Sequence, residues 1–268
     1  MYIGSDSENR QKRSGQTHQK NGGELMTRLI TTISICFLLA SNGICGTFLD
    51  TFDGGKLNVD KWTVLADSNG TATVENGNLK IVGGAGGDWN ITGIRFNQTV
   101  NINKEKLVIE LDALPVAAEF LLAFSTTPTK GDPWDAQSYW AWLVMDKMWQ
   151  WESNAQGAKA SIKPSFQFPI DQTEWHHFKV EISPTGDESI YETLTSVDEG
   201  KVGEAKASLD IAGADPSTTY IHVCAGYNAF TEPTLVDKVT ISANSIQGNM
   251  SIEYQGKLST TWGKLKSK

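Results

Sequence analysis

In residues 106–114, KLVIELDAL, Leu107, Ile109, Leu111 and Ala113 alternate with Glu110 and Asp112. Residues 175–183, WHHFKVEIS, repeat the pattern, with His176, Phe178, Val180 and Ile182 set against His177, Lys179 and Glu181. A period of two sends each set to its own face of an extended strand, one toward a core and one toward water. Such runs recur along the chain between clusters of Gly, Asn, Asp and Pro, and helical periodicity is nearly absent. Strands are expected at 47–53, 71–75, 78–82, 90–96, 106–114, 118–126, 138–145, 148–153, 160–168, 175–183, 189–197, 218–227 and 234–242. That is enough for two antiparallel sheets of six or seven strands, an all-β sandwich. Glu75-Asn76-Gly77 predicts a tight hairpin, because Asn and Gly tolerate positive φ. No repeat at a fixed period appears, which disfavours a propeller or solenoid.

The first 45 residues read differently. Leu29 to Ala40 is a twelve-residue apolar run behind Arg28, the length of a secretion-signal core and too short to span a bilayer. Residues 26–45 are therefore expected to be a signal peptide, and the protein to be secreted or at the cell surface, with no membrane attachment after cleavage. The polar stretch 1–25 is either a disordered extension or untranslated. Gly22-Gly23-Glu24 back-translates to a bacterial ribosome-binding sequence just ahead of Met26, which points to a bacterial source. The folded domain is expected over 46–243. A polar tail, 244–268, carries Leu258, Trp262 and Leu265 at spacings of four and three, and is either frayed or an attachment tag.

Residues 46–268 hold 18 Lys plus Arg against 28 Asp plus Glu, a net charge of −10. A surface this acidic repels phosphate backbones, so nucleic acid is a poor partner. Cys224 is the one cysteine beyond Cys36 and Cys45, which excludes a disulfide framework and a CxxC metal site.

The order of short phrases carries a resemblance. FLDTFDGGKLNVDKW (48–62), ENGNLKI (75–81), LVIELDALP (107–115), WHHFKVEI (175–182), SVDEGKV (196–202), HVCAGYN (222–228) and LVDKVTIS (235–242) resemble the sequence plan of the concanavalin A-like lectin/glucanase superfamily. That superfamily includes laminin G-like domains and family 16-type glucanases. The resemblance implies a jelly roll of two curved sheets, a carbohydrate partner (a poly- or oligosaccharide) on the concave face, and a structural calcium. Asp50, Asp53 and Asp237 match the acids that would hold the ion, with carbonyl oxygens completing the shell; the same aspartates would also serve as turn caps. Glucanases of this type carry carboxylates in an E-x-D-x-x-E pattern on one strand, flanking the scissile bond. Glu110 and Asp112 look like its first half, but Leu114 and Pro115 stand where the third acid would fall. In another alignment the catalytic strand is YWAWLV, where Trp140 and Trp142 replace the acids.

Other catalytic sets are incomplete. His176 and His177 point to opposite faces of a strand. His222 and Cys224 share a face, but a lone Cys more often packs than reacts. The densest feature is YWAWLVMDKMWQWE (139–152). A turn at Asp146-Lys147 pairs Val144 with Trp149 and Trp142 with Trp151, and puts Trp140, Trp142, Trp149 and Trp151 on one face. Indole N–H groups need partners when buried, so the aliphatic face is expected to be core. The tryptophans, with Trp134 at the rim, are then expected to stack on a sugar. The reading from sequence is a secreted, non-catalytic carbohydrate-binding domain. The rivals are a diverged glycoside hydrolase or sugar lyase using Glu110 and Asp112, and a surface adhesion or assembly module.

Overall fold

The computed structural model describes residues 46–66, 70–83, 91–116, 119–128, 139–154, 159–226 and 232–246, with backbone alone for 151–154, 159 and 160. The leader (1–45), nearly all of the tail, and Trp134 lie outside the described residues.

Among the described residues sixteen strands follow in chain order: β1 Thr47–Asp50, β2 Trp62–Leu65, β3 Thr71–Glu75, β4 Asn78–Val82, β5 Thr92–Phe96, β6 Leu107–Leu114, β7 Glu119–Ser125, β8 Tyr139–Met145, β9 Met148–Asn154, β10 Lys159–Lys163, β11 Gln167–Pro169, β12 His176–Pro184, β13 Ile190–Val197, β14 Gly203–Ala212, β15 Tyr220–Gly226 and β16 Thr234–Ser242. A nine-stranded antiparallel sheet runs β10-β14-β13-β12-β6-β16-β4-β3, with β1 also on β16. A seven-stranded sheet runs β11-β9-β8-β7-β15-β5-β2. The inward sets of the two sheets, among them Leu111, Phe178 and Val239 from one and Phe120, Trp142 and Val223 from the other, form a single buried core.

Local chemistry explains most element boundaries. Asn76 and Gly77 take φ of 52° and 77°, and Asp146 and Lys147 take 52° and 62°, the paired positive φ of a tight turn whose twist matches its strands. The second turn sets the register read from sequence, Val144 opposite Trp149 and Trp142 opposite Trp151. The expected run 160–168 breaks into β10 and β11 around Pro164, which has no N–H for a ladder. Its halves join different sheets, β10 on β14 and β11 on β9. Two strands escape the sequence pattern. β2 is only four residues long, and β14 (GEAKASLDIA) is rich in Ala, Lys and Glu, which favour strands little. The packed domain also extends past the expected edge at 243. Ile246 is buried in the core, and Ser245 binds the Glu105 carboxylate through N–H and Oγ at 2.8 and 2.5 Å.

Candidate functional site

The hairpin tryptophans face inward. Trp140, Trp142 and Trp149 are each 0% exposed and belong to the main core. Trp140 stacks on Phe124 at 5.7 Å, and Trp149 lies 4.7 Å from Phe178 across the sandwich. Trp142 Nε1–H donates to Thr195 Oγ1 of the opposite sheet at 2.8 Å. The expectation that these three stack on a sugar is therefore corrected: their rings fill the space between the two sheets, not an outer face. Two of their N–H groups, on Trp140 and Trp149, have no partner among the described residues. The premise that buried indoles must all be satisfied failed here, because so much apolar area is buried that it outweighs two unpaired donors. Trp151 holds its register opposite Trp142, but its side chain is not described.

The other set on β8 is buried as well. Leu121, Ala123, Ala141, Leu143 and Cys224 are 0% exposed, and with Ile91 and Met145 they form a second apolar cluster on the outward face of the seven-stranded sheet. A polar group closes one end of this floor. His222 pairs with Arg95 on β5 and with Ala123 on β7, and Arg95 stacks its guanidinium 5.5 Å over the Tyr220 ring. Ser125 Oγ lies 2.8 Å from His222 Nε2 and 2.9 Å from the Thr127 carbonyl. A carbonyl only accepts, so Ser125 gives its one proton to Thr127, and His222 must donate from Nε2. Nδ1 is then a bare acceptor, buried and without a partner among the described residues. Burial, aided by the Arg95 charge, pushes the His222 pKa down to about 3, so the ring stays neutral. A serine whose proton is already committed is no nucleophile for this histidine. Cys224 and His222 do share a face, as the sequence pattern has it, yet His222 bonds to Ser125. Sequence reading missed Arg95, Ser125 and Tyr220, which come from three different strands and leave no local motif.

The acids of the enzymatic rival sit elsewhere. Glu110 and Asp112 lie on the outward side of the nine-stranded sheet, in an ionic lattice. Asp112 accepts from His177 Nδ1 at 2.5 Å and from Lys238 Nζ at 2.6 Å. Glu110 lies 3.7 Å from Lys179, which also holds Glu181 at 2.8 Å. Burial pushes the Asp112 pKa up, but the bonds from His177 and Lys238 outweigh it and leave the carboxyl below its usual range. The bond to Asp112 raises the His177 pKa, against a smaller opposing effect of burial. His176 points the other way, 8% exposed, between Asp198 Oδ2 at 2.9 Å and the Asp171 carbonyl at 2.8 Å. The two histidines serve opposite faces, as adjacent strand residues must.

Of the three calcium candidates, Asp50 and Asp53 make local bonds. Asp50 accepts from the Phe52 N–H at 2.9 Å and from Trp62 Nε1–H at 2.7 Å. The first bond holds Phe52 at φ 54°, a conformation that bulky residues rarely take. Asp53 accepts from Thr51 Oγ1 at 2.8 Å. Lys56 and Lys61 line the same hollow of about 200 Å3, which disfavours a cation. Asp237 sits where β16 shifts register between Val236 and Lys238. Among the described residues no three His, Cys, Asp or Glu converge on one point. Asp50, Asp53 and Asp237 thus do not gather as a three-carboxylate cluster for Ca2+ among the described residues.

No protein-family model matches the sequence, and no curated protein matches it. Solved structures do. A basic winged bean lectin crystallised with Tn-antigen superposes with a TM-score of 0.51 at 12% identity, over 74% of this chain and 98% of the lectin. A structure reported with endo-acting O-glycanases of the human gut microbiota, which initiate mucin breakdown, gives 0.46 at 12% identity over 73% and 98%. A glycosyl hydrolase family protein from Mycobacterium fortuitum gives 0.44 at 16% over 72% and 98%. At such identities the likeness to the lectin, the one of these three with a TM-score above 0.5, speaks for the fold alone, and it agrees with the two antiparallel sheets, their shared core and the phrase order of the sequence: the fold is a concanavalin A-like jelly roll.

Proposed function

We propose that this protein holds carbohydrate, without cutting it, on the outward face of the seven-stranded sheet, as a secreted or cell-surface domain. The observation that carries the reading is the unpaired Nδ1 of neutral His222 at the polar end of an apolar floor; both are buried in this structure, so a sugar would have to displace what covers them. Ligand sites are mostly apolar, with a few convergent polar groups. A buried acceptor left open costs about 1–3 kcal/mol, which a sugar hydroxyl would offset, and Ser125, Arg95 and Tyr220 stand beside it for orientation. Trp134, on the segment joining β7 to β8, is the member of the tryptophan set assigned to the rim.

Holding is favoured over cutting by the carboxylate spacing. The seven strands of this sheet carry two acids, Glu119 on β7 and Glu152 on β9. Glu119 pairs with Met145 and Met145 with Met148, four residues before Glu152. Their Cα atoms are thus roughly 16 Å apart by strand geometry, whereas glycosidase carboxyl pairs stand about 5–9.5 Å apart. The test is a glycan array followed by titration of the full chain. His222→Leu and Trp134→Ala should each weaken binding at least about tenfold, a loss of about 1.4 kcal/mol. Trp142→Phe, a core change, should leave it intact. Unaltered affinity in a folded His222→Leu protein would remove the site, and release of reducing sugar would remove the non-catalytic reading.

A further inference from the structure

Trp175 is 46% exposed, while Trp62, Trp140, Trp142 and Trp149 of the same chain are at most 1% exposed. It immediately precedes β12, whose inward residues begin at His176, so Trp175 falls with His177 on the outward side of the nine-stranded sheet. One step along the β12–β6 ladder from the pair His176–Ala113, it comes level with Leu114, which pairs with Leu235. Leu114 and Leu235 are half-buried. The next row on this face is His177, Asp112 and Lys238, with side chains 28%, 30% and 31% exposed.

From this juxtaposition we propose a second carbohydrate-contact surface on the nine-stranded sheet, with the Trp175 indole as platform and the Asp112–His177–Lys238 row as its hydrogen-bonding edge. The occupant is an uncharged pyranose of a polysaccharide chain. His177 and Lys238 share the Asp112 carboxylate, and the neighbouring row sets Lys179 between Glu110 and Glu181, so opposite charges alternate across this face and leave no strong field of one sign to draw an anion or a cation. Each group is nonetheless about a third exposed, and a surface of mixed donors and acceptors suits hydroxyls, which both donate and accept. The indole supplies the flat apolar partner for the C–H face of the ring. A single stacking ring gives weak binding by itself, and two glycan contacts on opposite sheets of one domain would add avidity on a polymer. This surface stands apart from the His222 site and does not depend on it.

The experiment is affinity electrophoresis of the full chain in gels containing soluble neutral polysaccharides, here β-glucan, xylan and galactomannan. Trp175→Ala should reduce retardation at least about fivefold in apparent affinity, Trp175→Phe should keep most of it, and Lys238→Met should fall between. All three should melt within a few degrees of the parent, because the platform is exposed. Retardation of Trp175→Ala equal to the parent, with His222→Leu impaired, overturns this surface and leaves the first site standing. Equal retardation of both variants overturns both. No retardation of the parent, or a parent dimer in sedimentation that Trp175→Ala abolishes, assigns the patch to something other than sugar and overturns the proposal.

Discussion

His222 and Trp142 show how a single buried side chain sets measurable behaviour. The folded His222 pKa of about 3 lies below the ordinary 6.5, so between these values the unfolded chain binds the extra proton. The penalty is absent above about pH 6.5 and grows as the pH falls toward 3. Urea midpoints at pH 7, 5 and 4 should therefore fall steeply in the parent and less in His222→Leu. His177 acts in the opposite sense. Its raised folded pKa gives stability that is complete below about 6.5 and lost as the pH rises through the folded value. Asp112, with its pKa lowered, contributes above about 3.8 and loses that contribution in acid, so the pair serves best between about 3.8 and 6.5. His177→Gln should flatten the decline in melting temperature from pH 6 to 9. Among the core tryptophans, Trp142→Phe forfeits the bond to Thr195 and should cost about 1–3 kcal/mol. Trp140→Phe and Trp149→Phe remove unpartnered N–H groups and should cost less in chemical denaturation.

The β8–β9 hairpin marks the boundary of what the sequence discloses. Its strands, its turn at Asp146-Lys147 and its register all follow from alternation and turn chemistry, because backbone sterics decide them locally. Which side is core does not. In YWAWLVM both alternating sets are apolar, and the structure buries both, so the pattern holds no information about which one meets the other sheet. The Arg95, Ser125, Tyr220 and His222 group is hidden for a related reason: strands far apart in sequence assemble it. The turn itself still carries strain. Lys147 stands at φ 62°, where a side chain costs about 1–2 kcal/mol. Its backbone N–H donates to Gln172 Oε1 at 2.9 Å, a bond that any residue preserves. Lys147→Gly should therefore raise stability by about 0.5–1 kcal/mol, after the greater freedom of glycine in the unfolded chain is counted. Equilibrium unfolding of the single variant checks it.

At the scale of the molecule, the phrase order foretold the sandwich, since a fold of long-range strand pairs must be encoded across the whole length. Charge is arranged differently on its two outer faces: the nine-stranded sheet carries a matched lattice, and the seven-stranded sheet an apolar floor with one polar end. The first and last described strands also meet. β1 lies antiparallel on β16, Thr47 opposite Ser242 and Asp50 opposite Val239, and the Ala243 N–H closes onto the Gly46 carbonyl at 3.2 Å. Gly46 has no room for a side chain there, since an added Cβ would come within 2.0 Å of the Ile246 carbonyl oxygen. Both ends therefore leave from the same end of one ladder. Tension applied between residues 46 and 246 would load its hydrogen bonds in sequence, as a zipper opens, and never all together in shear. A domain so connected should give way at low force when pulled by its ends, β1 peeling first, however well its core resists heat.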